Sequence, residues 1–111
     1  QSDIMLKFKN KVLIIDAKFY SHTMQEKYGK KSFISANMYQ IYTYVKNEDK
    51  THSGNVSGLI LYAKTNEELV PNNEYILDGN KFIIRTLDLN DNWDKIYKSL
   101  FNIGLYVKEV L

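Results

Sequence analysis

A carboxylate and an ammonium group stand two residues apart at the end of the most hydrophobic segment of this chain. The segment KVLIIDAKFY (residues 11–20) has four aliphatic residues in a row and then reaches Asp16 and Lys18. On a β-strand these two side chains lie on one face of the sheet, and Ala17 points to the other face. A strand this apolar is typical of a buried position, so the charged pair needs a physical reason.

A second carboxylate lies opposite the first if the two N-terminal strands form a hairpin. A short turn at Lys9–Asn10 pairs residues whose numbers sum to 19, so Asp3 faces Asp16 with Cβ atoms about 4.5–5.5 Å apart. Opposed like charges are destabilising, and a divalent cation such as Mg²⁺, which takes oxygen ligands, would compensate them. Lys18 beside such an ion could orient or deprotonate an attacking water, or stabilise charge developing on a phosphate. The simpler interpretation is a frayed Asp3 beside a surface ion pair, because D-x-K is common by chance.

A glutamine and a tyrosine share one face of the first predicted helix. Residues 36–48 have helical periodicity, with Ser35 as the expected N-cap. Gln40 and Tyr44 are four residues apart and therefore neighbours on the helix surface. The surrounding sequence ANMYQIYTYV is otherwise apolar, so the glutamine needs a polar partner. Taken singly, the two residues could equally be a satisfied core amide and a packed ring.

The elements that must position these groups follow the order ββαβββα. Strands are predicted at 3–8, 12–18, 56–64, 74–77 and 81–88, helices at 36–48 and 91–109, and a polar loop at 19–32. A hairpin signal at Asp78–Gly79–Asn80 joins the last two strands. This order predicts an α/β domain with a central mixed sheet.

The last predicted helix has one apolar stripe at i, i+3, i+4 and i+7 spacing. Asn90 or Asp91 is the expected N-cap. We interpret the stripe as a core-facing surface. Its members are Trp93, Ile96, Tyr97, Leu100, Gly104 and Val107.

Composition restricts the class of protein. The 111 residues are 44% hydrophobic and 25% charged, which is ordinary for one soluble globular domain. No apolar run approaches the roughly 20 residues of a membrane span. The absence of cysteine excludes a disulfide framework and a thiolate zinc site, and it fits a reducing, cytoplasmic setting. His22 and His52 lack the spacing of a zinc site.

Positive charge is concentrated in the first third of the chain. Residues 1–31 contain seven lysines against three acidic residues, although the net charge of the whole chain is only +2. Three of these lysines, Lys27, Lys30 and Lys31, are expected in the polar loop, where they could contact a phosphate backbone. The alternative is that they are simply solvated.

Three short segments together resemble a known nuclease family. They are SDI (2–4), LIIDAK (13–18) and QIYTY (40–44), and their order resembles the PD-(D/E)xK superfamily in its RecB-like branch with the QxxxY helix. Within that branch the chain resembles the McrC nuclease subunits of methylation-dependent McrBC restriction systems. The resemblance covers residues 2–45 well and the rest only in general pattern. Ser2 replaces the usual proline, and the family's upstream helix would precede Gln1.

The resemblance implies a metal-dependent active site. Asp3 matches the first aspartate of the family motif and Asp16 the second acid, both as metal ligands and catalytic residues. The backbone carbonyl of Ala17 is implied as a further ligand. Lys18 matches the catalytic lysine.

The helix pair matches the remaining motif. The resemblance implies that Gln40 belongs to the catalytic set, and that Gln40 and Tyr44 support the site and approach the DNA. It also implies a restriction-endonuclease-like fold, in which helices flank the central mixed sheet.

We therefore expect a Mg²⁺-dependent DNA endonuclease in which Mn²⁺ can substitute. Residues 1–111 would be the nuclease domain, a C-terminal fragment of a longer McrC-like subunit. The implied partners are double-stranded DNA and an AAA+ GTPase similar to McrB, bound through the missing N-terminal region. The alternatives are a non-catalytic DNA-binding or scaffold module of nuclease fold, and another RecB-like nuclease that acts in repair or RNA processing.

Overall fold

A single mixed sheet organises the chain. The computed structural model describes residues 3–20, 29–64 and 72–110. Within these ranges the order is β1 (Asp3–Phe8), β2 (Lys11–Tyr20), α1 (Lys30–Glu48), β3 (Val56–Lys64), β4 (Asn73–Leu77), β5 (Asn80–Asp88) and α2 (Trp93–Val110). The strands lie in the order β1-β2-β3-β5-β4, with a parallel centre and antiparallel edges. The predicted α/β class and element order are confirmed, and the architecture is compatible with a restriction-endonuclease-like domain.

Both hairpins have the registers that their turns require. In β1–β2, Asp3 pairs with Asp16 and Phe8 pairs with Lys11, which confirms the predicted sum of 19. In β4–β5 the loop is Asp78–Gly79, and both residues have positive φ, 51° and 84°. Two left-handed residues in a two-residue loop are characteristic of a type I′ turn, whose twist matches that of the flanking strands.

The α1 helix packs closely against the middle of the sheet. Ile41 and Val45 are completely buried in a cluster with side chains from β2, β3 and β5. A Cβ atom at Gly58 of β3 would lie 2.9 Å from Cγ1 of Ile41 and 3.1 Å from Cδ1 of Phe82. Glycine at this position therefore allows the helix to approach the strand.

The α1 helix begins earlier than its sequence pattern predicted. Gly29, with φ of 74°, is the N-cap residue, and the helix starts at Lys30 rather than after Ser35. Ser35 is instead an exposed residue inside the helix. The reason is Ile34, which packs against the core cluster and extends the apolar stripe by one turn. The predicted 19–32 loop is correspondingly wrong at both ends, because β2 also continues to Tyr20.

The C-terminal end of α1 is fixed to the β4–β5 turn by polar contacts. The buried Asp49 carboxylate accepts hydrogen bonds from Asn80 Nδ2 (3.0 Å), from the amide and hydroxyl of Ser53, and from the Gly54 amide. These donors, the Asn80 side chain first, hold the pKa of Asp49 well below its usual range. Lys46 Nζ donates to Asn80 Oδ1 at 2.7 Å, which joins the helix to the same asparagine.

The face of α2 that contacts the sheet differs from the apolar stripe predicted from the sequence. Asn92, rather than Asn90 or Asp91, caps it, because Asn92 Oδ1 accepts a hydrogen bond from the Lys95 amide at 3.0 Å. Val107 is buried in the second core cluster as predicted. Trp93 and Tyr97, however, are 74% and 60% exposed.

The reason is that α2 packs through a neighbouring helical row rather than through the whole stripe. Ile103 and Tyr106 join Val107 against Leu59 and Ile83 of the sheet. An open apolar groove of about 560 Å³ remains between α2 and strands β1–β3. Neither described helix is both long and apolar enough to cross a membrane.

Gly58→Ala tests the close packing of α1 on β3. We expect the substitution to lower the free energy of unfolding by about 1–3 kcal/mol, because the added methyl group collides with Ile41 and Phe82. The matched control is Gly104→Ala in α2, where, apart from the adjoining residues and the helix's own backbone, no atom lies within 4 Å of the added carbon. That control should be neutral or stabilising, since alanine favours helix. Denaturant unfolding of both variants measures the difference, and equal stabilities would contradict the close approach.

Candidate active site

The predicted charged pair lies in the C-terminal half of β2, next to β3 and beneath α1. Asp16 is 1% exposed, whereas the Lys18 side chain is 24% exposed. Oδ2 of Asp16 lies 3.5 Å from Nζ of Lys18. This distance is an ion-pair distance, longer than the roughly 2.7–2.9 Å typical of a charge-assisted hydrogen bond. Lys18 therefore compensates the buried carboxylate while it retains hydrogen-bonding capacity for other groups.

Gln40 connects Lys18 to Tyr44. Lys18 Nζ donates to Gln40 Oε1 at 3.2 Å, and Gln40 Nε2 donates to the Tyr44 hydroxyl at 3.0 Å. An ammonium group only donates, so the amide must present its oxygen to Lys18 and its nitrogen to Tyr44. The helix and the strand end thus share one directional chain of hydrogen bonds. The polar partner that the sequence pattern required for Gln40 is Lys18.

A hard divalent cation fits the donor chemistry at this strand end. Asp16 supplies a carboxylate, Asp3 pairs with it across the hairpin, and Ala17 follows with its backbone carbonyl. Carboxylate and carbonyl oxygens are the ligands that Mg²⁺ takes. Among the described side chains, which do not include that of Asp3, no group of three or more His, Cys, Asp and Glu residues converges. The ligand roles of Asp3, Asp16 and Ala17 therefore stay predictions.

The three candidate DNA-contacting lysines are not in one loop. Lys27 lies outside the described residues, and Lys30 and Lys31 form the start of α1 rather than the end of a loop. The side chains of Lys30 and Lys31 are also outside the description. Both residues stand at the N-terminal end of α1, which is the end that follows β2 in the chain. Their contact with DNA stays a prediction.

Sequence reasoning missed a second polar contact between α1 and the sheet. Asn37 Nδ2 donates to the Tyr62 hydroxyl at 2.9 Å, and both side chains are buried. Asn37 lies three residues before Gln40, and Tyr62 pairs with Lys18 across β2 and β3. An asparagine inside a helix is unfavourable without a reason, and this was the available signal in the sequence.

Comparison with known proteins relates the chain to a restriction enzyme. No protein-family model matches the chain. It is similar to the type IV methyl-directed restriction enzyme EcoKMcrBC of Escherichia coli (strain K12), with 27% identity over 103 residues. The similarity covers 93% of this chain and 29% of that enzyme, so the chain spans less than a third of its relative's length. This relation supports the McrC-like resemblance, whereas membership of the PD-(D/E)xK superfamily stays a prediction.

Asp3→Asn tests whether the paired aspartates form a cation site. Without metal, the variant should be more stable by roughly 0.2–1 kcal/mol, because one of two opposed charges is removed. With millimolar Mg²⁺ or Ca²⁺, the wild-type protein should melt at a higher temperature and the variant should gain much less, since it has one metal ligand fewer. Thermal melts with chelator and with metal measure both effects.

The control for this test is Asp94→Asn, an exposed carboxylate in the first turn of α2. Its metal-induced rise in Tm should equal that of the wild type. An equal rise in Asp3→Asn would place Asp3 away from any cation site.

Proposed function

We propose that the chain is the catalytic domain of a Mg²⁺-dependent DNA endonuclease in a McrBC-like, methylation-dependent restriction system. The carrying observation is the buried Asp16 carboxylate, paired with Lys18 and joined through it to Gln40. Similarity to a methyl-directed restriction enzyme over nearly the whole chain supports the same function. A purely structural domain would gain nothing from a second carboxylate, that of Asp3, in register with the first.

Each residue of this set has a chemical task in phosphodiester hydrolysis. Asp16 and Asp3, with the Ala17 carbonyl, would hold the cation, which when bound supplies Lewis-acid stabilisation of the additional negative charge on the phosphate. Lys18 keeps an ammonium group at the partly exposed edge of the site, where it can hydrogen-bond a phosphate oxygen or the attacking water. Gln40 orients that ammonium group through its amide oxygen.

The helix side of the site would face the DNA. Tyr44 receives the hydrogen bond from Gln40 and is partly exposed, so its hydroxyl can contact the backbone of the DNA. In the longer protein, an AAA+ GTPase similar to McrB would control cleavage and bind outside these residues. The cytoplasmic setting and Mn²⁺ as an alternative cation belong to the same proposal.

Asp16→Asn and Lys18→Ala test the catalytic assignment. Each change in the full-length protein, assayed with its GTPase partner on methylated plasmid, should lower Mg²⁺-dependent cleavage at least about 100-fold. Circular dichroism and thermal melts establish that the variants remain folded. The control is Lys98→Ala, which removes an exposed lysine of α2 and should leave cleavage unchanged. A folded Lys18→Ala protein with full activity would exclude the catalytic role and favour a DNA-binding or scaffold module.

Substitution of three lysines tests whether they bind DNA. They are Lys27, Lys30 and Lys31. Changing all three to alanine should weaken DNA binding and reduce the slope of log K against log salt, by up to about 0.9 for each phosphate that the protein no longer neutralises. The matched control changes three exposed lysines of α2, Lys95, Lys98 and Lys108, to alanine. Fluorescence anisotropy at several salt concentrations measures both quantities. If the two triple variants behave alike, the three N-terminal lysines are solvated rather than bound to DNA.

A further inference from the structure

A buried amide and a buried phenol form the second polar connection between α1 and the sheet. Asn37 is 7% exposed and Tyr62 is 0% exposed, and Nδ2 of the asparagine donates to the tyrosine hydroxyl at 2.9 Å. Both groups would be costly to bury without partners. Neither residue belongs to the motif segments on which the proposed function depends.

The pair lies directly beside the candidate site. Tyr62 is the β3 residue that pairs with Lys18 of β2, and paired residues of parallel strands project from the same face. Asn37 precedes Gln40 by three residues, so the two side chains leave neighbouring turns of one helix face. Two hydrogen bonds, Gln40 with Lys18 and Asn37 with Tyr62, thus connect adjacent turns of α1 to adjacent strands.

The pair is better explained by its effect on the orientation of α1 than by its contribution to the stability of the protein. Replacement of both members of a buried hydrogen bond by apolar groups of similar shape is often nearly neutral for stability. Asparagine is also a poor helix former, so leucine at position 37 would suit α1 better. A directional hydrogen bond, however, fixes the rotation and axial position of a helix, which apolar contacts define less sharply.

We propose that Asn37 and Tyr62 are positioning residues that set the rotation of α1, so that the Gln40 amide oxygen meets the Lys18 ammonium group. The expected effect of this pair on cleavage rests on the proposed nuclease function. The hydrogen bond between Lys18 and Gln40 does not depend on that function, because it is a feature of the structure. Removal of the pair should let α1 shift, lengthen the distance between Lys18 and Gln40, and leave the ammonium group poorly oriented. Misplacement of a reacting group by about 1 Å can cost about 100-fold in rate.

The test compares the double variant Asn37→Leu/Tyr62→Phe with the wild-type full-length protein. The double variant should remain folded, since it keeps the packing of both side chains. Its single-turnover cleavage rate should fall roughly 10- to 100-fold with unchanged affinity for DNA. In ¹⁵N spectra of lysine ammonium groups, with the Lys18 signal assigned from Lys18→Ala, that signal should broaden or disappear because its hydrogen bond to Gln40 is broken.

The matched control is Tyr42→Phe, on the same helix. Its hydroxyl donates to Asp78 at the β4–β5 turn (3.4 Å), away from Lys18. This variant should keep both the cleavage rate and the Lys18 signal. Tyr62→Phe alone provides a second test if the double variant does not fold, because it removes only one oxygen atom.

The outcomes separate this role from the proposed function. An unchanged Lys18 signal in the folded double variant, or in Tyr62→Phe if the double variant does not fold, means that the pair only fills space. Disappearance of the signal supports the positioning role even if the wild-type protein cleaves no DNA, in which case the nuclease proposal fails alone. Disappearance of the signal in Tyr42→Phe as well would show that any change in α1 has this effect, and would overturn the specific role of the pair.

Discussion

The burial of the Asp16 carboxylate constrains the positions of Lys18 and of α1, which carries Gln40. An ionised group at 1% exposure is costly to bury unless a counter-charge and donors compensate it. Lys18 supplies the charge from two residues along the same strand, where strand alternation places it on the same face. Because the ammonium group is then shared between Asp16 and Gln40, the position of α1 becomes part of the same compensation.

Polar contacts hold α1 against the sheet near its middle and at its C-terminal end, and apolar packing joins the two. Near its middle it connects to β2 and β3 through Gln40 and Asn37, and at its C-terminus it connects to the β4–β5 turn through Lys46 and Asp49. Between these points Gly58 allows the two backbones to approach. A helix fixed in three places has little freedom to rotate, and this is the rigidity that a pre-organised catalytic group requires.

The two faces of the sheet differ in how completely they are covered. The α1 face is closed by a continuous cluster, whereas α2 leaves an apolar groove beside β1–β3 and an outward row of aromatic residues. The similarity to the Escherichia coli restriction enzyme extends over 93% of the chain and therefore includes both faces. Three residues of the proposed catalytic set, Asp16, Lys18 and Gln40, contact one another on the closed face.

Sequence alone determined the parts of this protein that depend on short-range geometry. A two-residue turn fixed the partner of Asp3, strand alternation placed Asp16 and Lys18 together, and helical spacing placed Gln40 beside Tyr44. The element order and the mixed sheet followed from the same local periodicities. Strand positions were also close, because the runs of β-branched residues end at clear turn signals.

Only the tertiary structure decided which distant groups meet. Lys18 and Gln40 are 22 residues apart, and Asn37 and Tyr62 are 25 apart, so neither contact has a local spacing rule. The early start of α1 depended on whether Ile34 reaches the core. The exposed face of α2 depended on which helical row contacts the sheet. Periodicity identifies an apolar stripe, but the rotation of a helix is set by the surface on which it packs.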